Sequence, residues 1–176
     1  MSLHRYPMKA LAGDYARAGA GMTVALGPLL FVTPGPVMIG LLGGLAALFL
    51  VFGLRTWRRH MTLVEVTEQG ITTEASPLPA PRVSIPWRRL SGLKLRYYST
   101  QRNRAQGWLQ MGLSARDRTL WLDSGLDGFE TVARRAAGAA LANRVSLGPT
   151  TVSNLDALGI MVPPELQPVE GSGARR

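Results

Sequence analysis

The residues with the widest chemical repertoire are few and scattered. The chain has two histidines, His4 and His60, and no cysteine, which excludes disulfides, thiolate metal sites and thiol nucleophiles. Neither histidine has an acidic neighbour at the Glu-x-x-His spacing of a metal or catalytic helix. Glu65, Glu74, Asp117, Asp123 and Asp127 form no evident pair for general acid–base work; Asp123 and Asp127 fit better as a strand end and a helix cap. There is no Gly-x-x-x-x-Gly-Lys loop, His-Glu-x-x-His helix or Gly-x-Ser-x-Gly elbow. The expectation is no catalytic residue, metal or cofactor, no small-molecule substrate, and a protein that is not an enzyme.

What remains is binding chemistry of three kinds. Arg58, Arg59, Arg88, Arg89, Lys94, Arg96, Arg102 and Arg104 are candidate contacts for anionic lipid, with solvated surface charge as the competing reading. The net charge of +9 lies mostly after Arg55; apposition to an anionic leaflet accounts for it, and no nucleic-acid partner is expected. Trp108 and Trp121 alternate opposite to the rows Leu109-Met111-Leu113 and Leu120-Leu122, which makes them candidate partner-binding residues. Leu155, Leu158, Ile160 and Met161 in the C-terminal stretch are further candidates for docking on a partner. Gly40, Gly43 and Gly44 hold a Gly-x-x-x-Gly spacing for close helix packing, with the first apolar segment and a foreign helix both open as the mate.

The elements that must position these residues begin with an apolar run. Between Arg17 and Arg55 there are 37 residues without an ionisable side chain, broken by Thr33-Pro34-Gly35-Pro36. Two segments result, near Tyr15 to Thr33 and Val37 to Leu54, each close to the roughly 20 residues needed to cross about 30 Å of hydrocarbon. A cleaved signal peptide would need a small-residue cleavage site rather than a second apolar span, and a buried soluble pair would need a polar face. With no intramembrane charge, no proton relay or ion site is expected. Arg5, Lys9 and Arg17 precede the run and Arg55, Arg58 and Arg59 follow it, so the positive-inside rule places both termini in the cytoplasm. The expected location is a bacterial inner membrane, crossed twice.

From Met61 the period becomes two. Val64 and Val66, the turn Thr67-Glu68-Gln69-Gly70, and Ile71 to Thr73 read as paired strands. Residues 75 to 82 carry three prolines and read as a loop; Val83, Ile85 and Trp87 then form an inward row. Two further alternating segments, Leu93-Leu95-Tyr97 and Trp108 to Leu113, precede Leu120 to Leu122. Asp127-Gly128-Phe129-Glu130 starts a helix whose inner stripe is Phe129, Val132, Ala133, Ala136, Ala137, Ala140 and Leu141.

Ile85-Pro86-Trp87 before the Leu93-Leu95 strand, the Gly107-Trp108 strand, and Leu122-Asp123-Ser124 leading into Gly128-Phe129 and one helix carry a resemblance. Over roughly Val37 to Val145 the chain resembles the bacterial PH-like domain attached to a two-helix membrane hairpin. That resemblance implies an α+β fold: a bent antiparallel sheet, partly closed like a barrel, capped by a single C-terminal helix. It also implies a binding or assembly module. The acidic, short Thr67 to Gly70 turn stands where lipid-reading PH domains carry basic head-group ligands, which argues against specific phosphoinositide recognition.

The expected organisation is a cytoplasmic segment 1–17, a transmembrane hairpin 18–54, a PH-like domain 55–145 and a tail 146–176. The expected role is an accessory or assembly subunit of a larger inner-membrane complex, such as a respiratory or photosynthetic one, docking on other subunits. The alternative is a membrane-anchored module that binds anionic lipid head groups.

Overall fold

The computed structural model describes residues 1–75, 82–100, 103–116 and 118–163. The chain divides into a helical unit, chiefly Arg5–Thr62, and a sheet unit that takes in Met1–His4, Leu63–Glu74 and most of the chain beyond.

The helical unit is α1 (Met8–Phe31) and α2 (Pro36–His60), packed side by side. Pro36 occupies the first turn of α2, where its missing N–H costs nothing. The packing is close because small residues meet large ones. A Cβ on Gly21 would come within 2.3 Å of the Phe49 ring, and one on Gly53 would sit 3.5 Å from the Ala18 Cβ. Ala18, Gly21, Ala25 and Ala46 are buried at this seam.

Gly40, Gly43 and Gly44 lie elsewhere. All three are exposed, and a Cβ at any of them would meet nothing within 4 Å. The first apolar segment is therefore not the mate of the Gly-x-x-x-Gly face.

The two helices also differ in membrane length. At 25 residues α2 has a mean hydropathy of 2.5 over its most apolar window, in which Ala46 at the seam is the one buried residue; it runs about 38 Å at 1.5 Å per residue. The two expected spans are not equally supported. α1 begins at Met8, and Lys9, Asp14 and Arg17 occupy its first three turns. Its uncharged part, Ala18 to Phe31, extends about 21 Å, short of a bilayer core. Among the described residues, α2 is the one helix long and apolar enough to cross a membrane.

The sheet unit contains two antiparallel sheets. The first has the order β1 (Ser2–Arg5), β2 (Thr62–Val66), β3 (Gly70–Ala75) and β4 (Val83–Pro86); the second has the order β5 (Gly92–Thr100), β6 (Asn103–Ala115) and β7 (Arg118–Asp123). The fold is mixed helix and sheet with no closed barrel. The β2–β3 turn is held by the Thr67 hydroxyl, which accepts from the Gln69 and Gly70 amides at 3.2 Å. Val64, Ile71, Ile85, Leu95, Met111 and Leu113 are fully buried, as period-two alternation requires.

Trp87 is buried but lies outside a strand, opening the short 3-10 turn Trp87–Arg89. Its indole N–H donates to Thr67 O at 2.9 Å.

Helix α3 (Phe129–Ala142) buries most of the expected face, through Phe129, Val132, Ala133, Ala136, Ala137 and Ala140, while Leu141 is half-buried. Its cap differs from the expected one. Gly128 is the N-cap at φ +68°, and no side chain caps the helix. Asp127 contributes its carbonyl instead, which accepts from His4 Nδ1 at 2.8 Å. His4 thus belongs to β1 and the sheet unit, and its Nε2 pairs with the Ser2 hydroxyl at 2.9 Å.

A second helix, α4 (Pro149–Ala157), follows α3, beyond the single capping helix that the resemblance implies. It packs along β5. The Thr151 hydroxyl accepts from Leu95 N–H at 3.2 Å, and the Asn154 amide donates to Leu95 O at 2.8 Å. These side chains satisfy backbone groups of an edge strand that has no strand partner on that side.

Candidate partner-binding face

The outer face of the second sheet is set by strand parity. Leu93 and Leu95 on β5, Met111 and Leu113 on β6, and Leu120 and Leu122 on β7 point inward and are buried. Lys94, Arg96 and Tyr98, then Trp108, Gln110 and Gly112, then Trp121 and Asp123 must therefore share the opposite face. The register aligns them in rows: Tyr98 with Trp108, Arg96 with Gln110 and Asp123, and Lys94 with Gly112 and Trp121.

Two aromatic ledges stand on this face. Tyr98 and Trp108 stack with ring centroids 5.7 Å apart and planes 22° from parallel. Trp121 lies over Gly112, where a Cβ would come within 2.6 Å of the indole. The bare glycine is what lets the ring rest on the strand. Both indoles stay half open to solvent, Trp108 at 49% and Trp121 at 47% exposure. Lys94 and Arg96 run between the ledges on β5 and are exposed. Tyr97 folds back at the strand end, its hydroxyl accepting from Gly107 N–H at 2.9 Å.

Aromatic rings fixed to strands offer large contact area at little conformational cost, and neighbouring cations add steering and orientation. No nucleophile–base pair stands among them. Among the described residues, no three His, Asp or Glu side chains come together as a metal site. His60 Nδ1 lies 3.3 Å from the Tyr15 hydroxyl, with the rings edge to face. Asp123 ends β7 by accepting from Gly125 N–H at 3.0 Å.

The other sequence candidates disperse. Leu155 is fully buried and Ile160 buried within the chain's own fold, and Leu158 is half-buried, so Leu155 and Ile160 are core residues and the three do not form a free docking tail. Met161 alone of that group is exposed, at 85%. Arg88 and Arg89 are exposed on the 3-10 turn. Arg102 lies outside the described residues, as does the side chain of Arg104. Arg58 is exposed at the end of α2, and Arg59 stacks over Tyr6 with 4.7 Å between guanidinium carbon and ring centroid.

Two contributors to the face escape sequence reasoning, Tyr98 and Gly112. Alternation marks Tyr98 as outward, but its pairing with Trp108 depends on the β5–β6 register; a glycine within an alternating strand is itself a sign of close approach. No family model, curated protein or solved structure matches this chain, so the functional reading rests on the residues and geometry of this face and of the helices.

Proposed function

We propose that this chain is a non-catalytic accessory or assembly subunit of a larger inner-membrane complex, anchored through α2 and docking by the outer face of the β5–β6–β7 sheet. The observation that carries the reading is the pair of half-exposed indoles, Trp108 and Trp121, seated on Tyr98 and Gly112. Rigid aromatic anchors beside cations are the residues that dominate protein interfaces.

Anchoring is supported by the long apolar window of α2 and by exposed Val24, Leu29, Leu30, Phe31, Val37, Ile39, Leu41 and Leu50 over both helices. So much contiguous apolar surface is unsuited to water. The finer topology, α1 inserted beside α2 with both termini cytoplasmic, rests on Arg17 at one end of the run and Arg55, Arg58 and Arg59 at the other. We further propose that the sheet unit is PH-like. Strand order and the α3 position favour it; the separate sheets and α4 depart from it.

The test is mild extraction of tagged full-length protein, followed by quantitation of co-purifying subunits for the native chain and for Trp108→Ser/Trp121→Ser. A defined complex lost in the double variant supports the proposal. A second reading, binding of anionic lipid by the sheet face, is favoured by Lys94 and Arg96 lying on that face. It predicts vesicle binding that falls steeply as salt rises past a Debye length of about 10 Å at 0.1 M.

A further inference from the structure

At the C-terminal end of α2 a shallow groove of about 460 Å³ is lined by Val51, Leu54, Arg55, Arg58, Arg59 and Thr62. Helical spacing places Val51, Leu54, Arg55 and Arg58 along one stripe. Its upper part is exposed hydrocarbon, Val51 and Leu54. Its lower part is three guanidinium groups. Arg59 is held in place from behind, stacked on Tyr6 and 4.0 Å from Asp14 Oδ2. Arg55 and Arg58 are exposed, and among the described residues neither has a carboxylate within ion-pair distance.

We infer that this groove binds the phosphate of an anionic phospholipid, with an acyl chain along Val51 and Leu54 and the phosphodiester between Arg55 and Arg58. The inference rests on α2 being in the membrane. Charge complementarity selects the occupant. Two guanidinium groups that face no carboxylate among the described residues match phosphate oxygens bidentately, and a soluble anion would leave the apolar half of the groove uncovered. Arg55 is the first charge after the apolar run, which sets it at the depth where a head group meets its acyl chains. Thr62 closes the lower end, its hydroxyl donating to Arg58 O at 2.9 Å.

The experiment uses full-length protein in nanodiscs of equal phosphatidylglycerol and phosphatidylcholine, with retained lipid counted by native mass spectrometry. The expected result is enrichment of phosphatidylglycerol on the order of tenfold, as two arginines near an anionic surface warrant, lost in Arg55→Gln/Arg58→Gln and kept in Arg88→Gln/Arg89→Gln. Equal enrichment in both variants overturns the inference, as does displacement of the lipid by millimolar inorganic phosphate, which would make the groove a site for free anions. Alkaline carbonate washing of native membranes separates the two levels. Release of the protein overturns the membrane reading and this one together, whereas retention without enrichment overturns only this one.

Discussion

The indole of Trp121 rests on Gly112, the residue opposite it on the neighbouring strand, so closely that a Cβ there would lie within 2.6 Å of the ring. One strand thus supplies an anchor and the next supplies its seat. The relationship separates two effects that are often confused, loss of a contact surface and loss of the fold. Trp121→Ala removes a half-exposed side chain and is expected to change stability by about 1 kcal/mol or less, measured by urea denaturation. Gly112→Val keeps the tryptophan but lifts it from its seat, and is expected to weaken docking as much as Trp121→Ala does.

The seam between α1 and α2 can be tested covalently, because the native chain has no cysteine to interfere. The 3.5 Å between the Ala18 Cβ and the Cβ position of Gly53 is within the span of a disulfide. Ala18→Cys/Gly53→Cys is expected to oxidise within one chain, seen as a shift on non-reducing gels. Adding Gly21→Leu, which drives a side chain into Phe49, should abolish the cross-link, and Gly44→Leu should leave it intact.

His4 and Gly128 should be energetically coupled. A side chain at Gly128 faces both the left-handed backbone, worth about 1–2 kcal/mol, and the His4 ring, 2.6 Å from the added carbon. Gly128→Ala is expected to destabilise the protein by more than the backbone term alone. His4→Ala should relieve the steric part, so the double variant is less destabilised than the sum of the singles, as thermal or denaturant unfolding will report.

Helix α4 should protect the edge of β5. Thr151→Val and Asn154→Leu each leave a polar group of Leu95 without its partner, at a cost of about 1–3 kcal/mol when the group stays buried. Hydrogen exchange at the Leu95 amide is expected to quicken in Thr151→Val, while exchange at Met111 in the centre of the sheet changes less.

Local patterns made much of this molecule legible. The leucine rows of β5 to β7 and the alanine stripe of α3 each encode a face in consecutive residues, and the apolar run encoded two long helices. What escaped depends on residues distant in sequence. β1 is four residues long with one buried side chain, His4, and only its partners far along the chain make it a strand. The dispersed apolar residues of the C-terminal stretch read as a docking tail because nothing local says that Leu95 offers Thr151 and Asn154 their partners. The span of α1 was overestimated because its helix runs on through Arg17 and Asp14, which pair at 2.7 Å, so helical continuity is not apolar continuity. On the outer face, the two tryptophans were readable from alternation, whereas Gly112 as a seat required the register.

The central claim is that the outer sheet face joins this chain to a membrane complex. The most direct measurement compares the native protein with Trp108→Ser/Trp121→Ser after gentle extraction through a C-terminal tag, with subunit stoichiometry by mass spectrometry and folding checked by circular dichroism. A defined set of membrane subunits is expected with the native chain, and their loss from a double variant that remains folded. Recovery of the native chain alone, or equal retention of the same subunits by the folded double variant, would contradict it.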